Sequence, residues 1–419
     1  MKADFDGLPF GPADILLPGK KTDLGRWSVV ACDQYTSQPE YWKRVDELVG
    51  QAPSALRLIL PESKLEGPGV REEIAAVNSA MERYLAQGIF QEYPDALIYV
   101  ERRLRDGQVR RGLVGKADLA AYDFTPGSGA PIRATEGTVL SRIPPRAAVR
   151  EHAPIELPHV LLLADDREKT ILEPLSARKE RMEQVYDFEL MEDSGRLTGW
   201  LLGEEEKTGV AEAIRALSSP EVFEEKYHAA GKEVLLFAVG DGNHSLATAK
   251  ACWEKSGEEK ARYALVELTN LHDASLDFEP IHRVVFDTDP ADLLSALKAA
   301  YPGAYEGEGD GHVLRYVTAR GEGAVTVPDP RAQLAVGTLQ SFLDGYLAAH
   351  PGRIDYIHGE DVTRKLAVQS PQNIGFLLPP MEKEQLFPTV IFDGVLPRKT
   401  FSMGHAHDKR FYLEARKIR

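Results

Sequence analysis

Residues 233–255 read EVLLFAVGDGNHSLATAKACWEK, and the fold turns on this stretch. Residues 234–239 form a nearly unbroken apolar run with valine at each end, the pattern of a strand buried on both faces. Gly240-Asp241-Gly242-Asn243 predicts a turn, because glycine accepts a positive φ while Asp and Asn bond back to nearby backbone. From Ser245 onward Leu246, Ala249 and Trp253 share one helical face, with Ala247, Ala251 and Cys252 small enough to pack closely. Strand, glycine turn and helix together crowd Asp241, Asn243, His244 and Ser245 at a helix N-terminus. Free N–H groups and the positive dipole end converge there, which suits a phosphate or carboxylate. The plainer alternative is an ordinary turn in which Asn243 or Ser245 caps the helix.

The totals bound the class. A chain of 419 residues has room for about two to three domains of ~100–200 residues. Hydrophobic residues at 43% and charged residues at 27% describe an ordinary globular protein. The net charge of −15 disfavours a broad phosphate-backbone footprint, so nucleic acid is not an expected partner. Cys32 and Cys252 form no CxxC pair, which argues against a cysteine zinc site or a disulfide framework. Residues 1–18 lack a cationic start followed by an apolar core, and no apolar run approaches a membrane span of ~18–20 residues. A cytoplasmic location is expected.

Outward from the central stretch, residues 27–31 predict a strand ending at Cys32-Asp33, and Ser37 is placed to cap a helix opening at Pro39. That helix carries Tyr41, Val45, Leu48 and Val49 as its apolar stripe, and residues 70–87 form a second amphipathic helix with Ile74, Val77, Met81 and Leu85. Residues 56–60 read as a short strand. Residues 96–103 and 108–116 predict a hairpin about Asp106-Gly107. Its arginines, Arg102, Arg103, Arg105, Arg110 and Arg111, read as a solvated face, with a phosphate-facing patch as the minority alternative.

A second polar constellation, Arg133, Thr135, Glu136 and Thr138 with Ser141, Arg142 and Arg146 after it, follows a Gly/Pro/Ser loop. Arginine offers a fork for phosphate or carboxylate, and glutamate serves as base or metal ligand; a loop-bracing ion pair is the structural alternative. Residues 159–164 predict a buried strand with Asp165-Asp166 as solvated turn acids, a divalent cation being the lesser alternative. Short strands are expected at 168–173, 184–191 and 196–202, helices at 208–217 and 220–229, and a strand at 260–268. His282-Arg283 leads an apolar strand, a helix follows at 290–300, a hairpin at 301–327 and a helix at 336–348. Strands are expected at 390–392 and 411–415, and His405, His407 and Asp408 read as incidental more readily than as a metal set. The fold class is mixed α/β (α+β), with short mixed strands and intervening helices in two lobes around a central cleft. The expected division is 1–145, 146–300 and 301–419, or one continuous domain.

These segments resemble, over nearly the whole chain and in order, the family known as domain of unknown function 1015. Asp241-Gly242-Asn243-His244-Ser245 matches its Asp-Gly-His-His-Arg motif, and Ala31-Cys32-Asp33 its Pro-Tyr-Asp entry. The 134–138 segment matches its His-Glu-x-Thr. Pro280-Ile281-His282-Arg283 and Leu396-Pro397-Arg398-Lys399-Thr400 correspond to its Pro-x-His-Arg and terminal Met-Pro-x-Lys-Ser/Thr motifs. The chain departs from the pattern at Asn243, Ser245 and Thr135, and at the residues before Asp33, as a divergent branch. At motif level the strand–Asp-Gly-x-His turn is also similar to the nucleotide-binding motif of the ParB/sulfiredoxin-like superfamily, which includes free-serine kinases.

The expected activity is phosphoryl transfer, as kinase or phosphatase, on a small hydroxylated metabolite such as serine. Asp241, His244, Glu136 and Asp33 are the expected catalytic residues. Gly240, Gly242, Asn243, Ser245, Arg133, Thr138, His282, Arg283 and Lys399 are the expected phosphate or substrate ligands. Mg²⁺ and a nucleotide are the expected cofactors. A nucleotide or metabolite sensor without turnover is the alternative, favoured by Ser245 in place of the family's arginine. A ParB-like action on nucleic acid is a third reading, disfavoured by charge.

Overall fold

The computed structural model describes residues 2–65 and 67–419. They form two compact units, Met1–Leu276 with His405–Arg419, and Asp277–Gly404. Positions 145/146 lie inside a helix of the first unit and 300/301 at a helix end in the second.

The first unit is built on a ten-stranded mixed sheet. Its strands are β1 (Phe10–Gly11), β2 (Ile98–Arg103), β3 (Val109–Asp118), β4 (Tyr122–Asp123), β5 (Ile132–Ala134), β6 (Leu161–Ala164), β7 (Glu183–Glu189), β8 (Arg196–Leu201), β9 (Phe237–Asp241) and β10 (Tyr263–Asn270). They lie side by side as β7-β8-β2-β3-β10-β6-β9-β5-β4, with β1 also paired to β3. The β7-to-β3 part is an antiparallel meander, and β2 and β3 are the expected hairpin, its turn made by Gly107 at φ +87°. Beyond it β10–β6, β9–β5 and β5–β4 are parallel, so Ala134, the last residue of β5, lies beside Val239 of β9.

Alternate residues feed two cores, one on each face. Val100, Val114 and Leu265 join one cluster with Tyr41, Val45 and Val49 of helix α1 (Pro39–Val49) and Val77 and Met81 of α2 (Val70–Ala86). Tyr99, Leu113 and Val266 face the other, with Leu246 and Ala249 of a third helix. That face-by-face alternation is the period-two geometry of a strand. Helix α3 (Ile143–Arg150) packs against α4 (Asn243–Ser256), which follows β9 directly.

The second unit carries a seven-stranded sheet. Its strands are β11 (Phe278–Phe286), β12 (Tyr305–Glu306), β13 (His312–Thr318), β14 (Gly321–Val327), β15 (Arg353–His358), β16 (Ile374–Leu377) and β17 (Phe401–Met403). The order is β12-β14-β13-β16-β11-β15, with β17 also on β11. Helices α5 (Pro290–Ala300), α6 (Ala335–Ala349) and α7 (Glu360–Val368) belong to this unit, α5 capped by Asp289 with Pro290 at its first turn. Among the described residues no helix is long and apolar enough to cross a membrane.

Several local expectations are corrected. Trp27 ends a short helix capped by Asp23, so only Val29–Val30 is strand, and α1 begins after Gln38 without a Ser37 cap. On α1, Trp42 is buried while Leu48 is 48% exposed. Residues 55–58 form a 3₁₀ turn because Ser54 Oγ accepts the Leu56 N–H. Residues 386–392 are helical, since a short apolar run does not distinguish strand from helix. Residues 168–173 are not a strand: Asp166 accepts the N–H groups of Thr170 and Ile171 and ties the chain into a turn.

Two polar expectations also fail. Arg102 and Arg110 are buried rather than solvated, and their guanidiniums donate to carbonyls of residues 407–409. Asp165 and Asp166 are buried as well. Asp165 meets His272 at 2.6 Å, Lys226 at 3.1 Å and Tyr227 at 2.5 Å. Burial raises the Asp165 carboxyl, but these partners outweigh it and bring the pKa to about 2.

Candidate functional site

The parallel pairing of β5 with β9 brings the 135–139 loop beside the β9–α4 turn. Strand β9 starts at Phe237, later than the apolar run, because the Leu236 and Phe237 N–H groups both go to the Pro131 carbonyl. It ends at Asp241, where Gly242 turns the chain at φ +80° and serves as the N-cap of α4. A Cβ at Gly242 would lie 3.0 Å from Cα and Cγ2 of Val160, so both conformation and space call for glycine. Gly240 lies in the strand where an added Cβ would come within 2.8 Å of Leu163 Cγ. The capping alternative is excluded: neither Asn243 nor Ser245 caps α4.

Asn243 instead fastens the two segments. Its Oδ1 accepts the Thr135 N–H at 3.1 Å, and Thr135 Oγ1 donates to the Val239 carbonyl at 2.6 Å. His244 makes the second fastening, its Nε2 accepting the Val139 N–H at 3.2 Å. A ring nitrogen that accepts is unprotonated, so His244 is neutral with its remaining proton on Nδ1. Burial lowers its pKa, and Arg142 and Arg146 lower it further, against Glu62 and Asp33. Arg146 pairs with Glu62 at 2.6 Å, and the Glu62 N–H bonds the Cys32 carbonyl at 2.8 Å, which ties the 31–34 segment to the same place. Asp33 Oδ1 accepts from Gln34 Nε2 at 3.0 Å.

A buried relay lies alongside. The Cys32 N–H donates to Tyr412 Oη at 3.2 Å, Tyr412 Oη is 2.7 Å from His159 Nδ1, and His159 Nε2 is 3.0 Å from Ser245 Oγ. A consistent proton assignment has Tyr412 donating to Nδ1 and Nε2–H donating to Ser245. Asp241 Oδ1 accepts the Gly242 N–H at 2.8 Å, and Oδ2 meets Lys409 Nζ at 3.1 Å. Burial raises the Asp241 carboxyl, but the Lys409 ammonium outweighs it and holds it below the usual range. Burial, reinforced by Asp33, pushes the Cys32 thiol up to about 12, so it is no thiolate nucleophile.

Asp33, Thr135, Glu136, Thr138 and residues 240–245 thus lie on segments joined by these bonds. Glu136 is half-buried in the loop, and Thr138 Oγ1 is a buried hydroxyl without a partner. Arg133 points elsewhere, donating to the carbonyls of Ala130 and Glu233 at 2.7 Å each. His282, Arg283 and Lys399 belong to the second unit. There Arg283 is fully buried and donates to the carbonyls of Lys399 at 2.9 Å and Arg398 at 2.8 Å, and to that of Ile281. His282 Nδ1 accepts the Leu378 N–H at 3.1 Å, while Lys399 is exposed. His405 and His407 stack at 5.3 Å, and Asp408 accepts the His405 N–H. Glu62, His159, Lys409 and Tyr412 were not singled out from sequence. His159 alone left a trace there, as the polar residue heading an apolar strand.

No curated protein matches this sequence. Solved structures resemble it only distantly. Free serine kinase in complex with AMP, as a mutant, is 11% identical with a TM-score of 0.38, covering 71% of this chain and 94% of that one. A conserved hypothetical protein from Pyrococcus furiosus is 13% identical with a TM-score of 0.32, covering 49% and 89%. SbnI with a C-terminal truncation, from Staphylococcus aureus, is 11% identical with a TM-score of 0.37, covering 67% and 82%. The model of the family described as protein of unknown function (DUF1015) matches residues 14–374, and the chain belongs to this family.

Proposed function

We propose that the β9–α4 turn and the 135–139 loop bind phosphate, and that the protein transfers a phosphoryl group to or from a small hydroxylated metabolite such as serine. The observation that carries this reading is the pair of bonds from Thr135 and Val139 to Asn243 and His244, which gather separate polar segments at one helix N-terminus. Backbone N–H groups and the dipole of α4 supply the phosphate cradle, and His244 Nδ1–H is a neutral donor to it. Lys409, Arg142 and Arg146 offset charge nearby, while Asp33 and Glu136 are the candidate bases and Asp241 stays ionised beside Lys409. Ser245, Gly240 and Gly242 shape the cradle. Arg133, His282 and Arg283 act through the fold.

A nucleotide with Mg²⁺ is the proposed co-substrate. Among the described residues no group of three or more His, Cys, Asp or Glu is placed to hold a metal. The fit is therefore to Mg²⁺ carried by phosphates and steadied by one or two carboxylates such as Asp241, Asp33 or Glu136. The second reading, a sensor without turnover, is favoured by Ser245, whose hydroxyl is held by His159 rather than offering the family's arginine charge.

A thermal-shift titration with ATP, ADP, serine and phosphoserine, with and without Mg²⁺, followed by product analysis, tests the proposal. A ligand at ~100 times its Kd adds about 2.7 kcal/mol and raises the melting temperature. A Mg²⁺-dependent nucleotide shift with phosphorylated product supports transfer, and a shift without product supports the sensor. No shift with any phosphorylated ligand, in protein that melts cooperatively, sinks both.

A further inference from the structure

Arg102 and Arg110 stand directly opposite each other on the β2–β3 hairpin. Like charges at paired positions repel, and these two are 2% and 7% exposed, with little water to screen them. Among the described residues neither has a carboxylate in hydrogen-bond contact. Arg102 donates through its Nη atoms to the carbonyls of Ser194, His407, Asp408 and Lys409, and Arg110 to that of Asp408. Each guanidinium keeps one buried donor, Nε, without a partner. An unpaired donor of a buried charged group is costly.

Both arginines line one small cavity with Arg410, Glu267 and Glu414. Arg410 bonds both of those carboxylates, Glu267 Oε2 through Nε and Glu414 Oε2 through Nη2, each at 2.8 Å, and Tyr186 Oη donates to Glu414 Oε1 at 2.7 Å. Three guanidiniums thus face two carboxylates, an excess of one positive charge. Asp408 also acts on Arg102, but it lies outside the cavity with its carboxylate turned to the His405 N–H. The space admits a single small occupant, a water molecule or one monatomic ion. Sulfate, phosphate and carboxylates are too large for it.

We infer that this cavity binds one monatomic anion of the chloride class between Arg102 and Arg110. The anion accepts from the two orphaned Nε–H groups, offsets the excess charge and relieves the repulsion between the paired arginines. Burial, with Arg110 next, lowers the Arg102 pKa to about 9, the mark of a cation short of counter-charge. The same guanidiniums hold the carbonyls of residues 407–409, and Lys409 reaches Asp241. The anion thereby steadies Lys409, whatever reaction that lysine serves.

Crystals of the full chain grown in sodium bromide, with data at the bromine edge, give the decisive test. An anomalous peak between Arg102 and Arg110 is the expected result. A water there without anomalous signal, or bromide only elsewhere, overturns the inference. In solution, chloride and bromide should raise the melting temperature saturably over sodium gluconate at equal ionic strength. Arg110→Gln should weaken the apparent halide affinity about tenfold or more, as expected for a lost charge-assisted hydrogen bond. If that variant fails to fold, the bromide crystal of the unaltered chain still decides.

Discussion

His244 Nε2 accepts the backbone N–H of Val139, 105 positions away in the chain, at 3.2 Å. One bond thus latches the 135–139 loop onto the start of α4 and sets the charge state of the histidine, since an accepting Nε2 carries no proton.

His244→Ala should therefore cost about 0.5–1.5 kcal/mol in urea unfolding, while His244→Gln, which keeps an acceptor, should lose less. Both should weaken phosphorylated-ligand binding if the loop closes the cradle. The pH sign follows from a pKa held below 6.5 by burial. Protonation then favours the unfolded chain, so the contribution is intact above the unfolded value and is lost as pH falls below it. His282, His312 and His407 are lowered as well. His244→Gln should thus flatten the fall in melting temperature between about pH 7 and 5 without abolishing it.

Asp165→Asn should be among the most damaging single changes in the first unit. It strands Lys226 beside a neutral amide and leaves a buried network half-made, at a cost of about 3–5 kcal/mol. The Asp165 pKa is depressed from 3.8 to about 2, so its stabilisation is present above 3.8 and is lost as pH falls towards about 2. Acid denaturation of the variant, compared with the unaltered chain, should show that window missing.

Arg283→Lys separates a structural from a ligand role. The planar fork of Arg283 joins β11 to the carbonyls of residues 398 and 399, and lysine does not reproduce it. The expected outcome is a loss of about 1–3 kcal/mol with the ligand affinity of the folded protein unchanged. Unaltered stability with reduced affinity would mark Arg283 as an anion ligand instead.

Tyr412→Phe removes one hydroxyl and orphans both the Cys32 N–H and His159 Nδ1. Two buried groups lose their partner, so about 1–3 kcal/mol should go. Proton exchange at the Cys32 amide, followed by NMR, should quicken by more than exchange in α2.

Gly242→Ala combines a backbone and a steric penalty. The φ of +80° disfavours any L side chain, and Val160 lies 3.0 Å from the added methyl. A cost of about 1–3 kcal/mol is expected, read as a lower midpoint in denaturant.

The sequence by itself determined what short-range physics controls. Apolar alternation and turn chemistry marked the 96–116 hairpin, the strand, turn and helix of 233–255, and helices expected from Pro39 and at 70–87, 290–300 and 336–348, which the structure has at 39–49, 70–86, 290–300 and 335–349. Motif order marked the family. Only the tertiary structure decided which polar residues serve the fold and which gather beside α4. Arg102, Arg110, Arg133 and Arg283 read as exposed or anion-facing cations, yet each is buried and bound to backbone carbonyls. Lys409 and Tyr412 carried no signal at all, because their partners Asp241 and His159 lie more than 150 residues away. A buried guanidinium needs acceptors, and which carbonyls supply them depends on strand register and chain crossover, which no local pattern encodes.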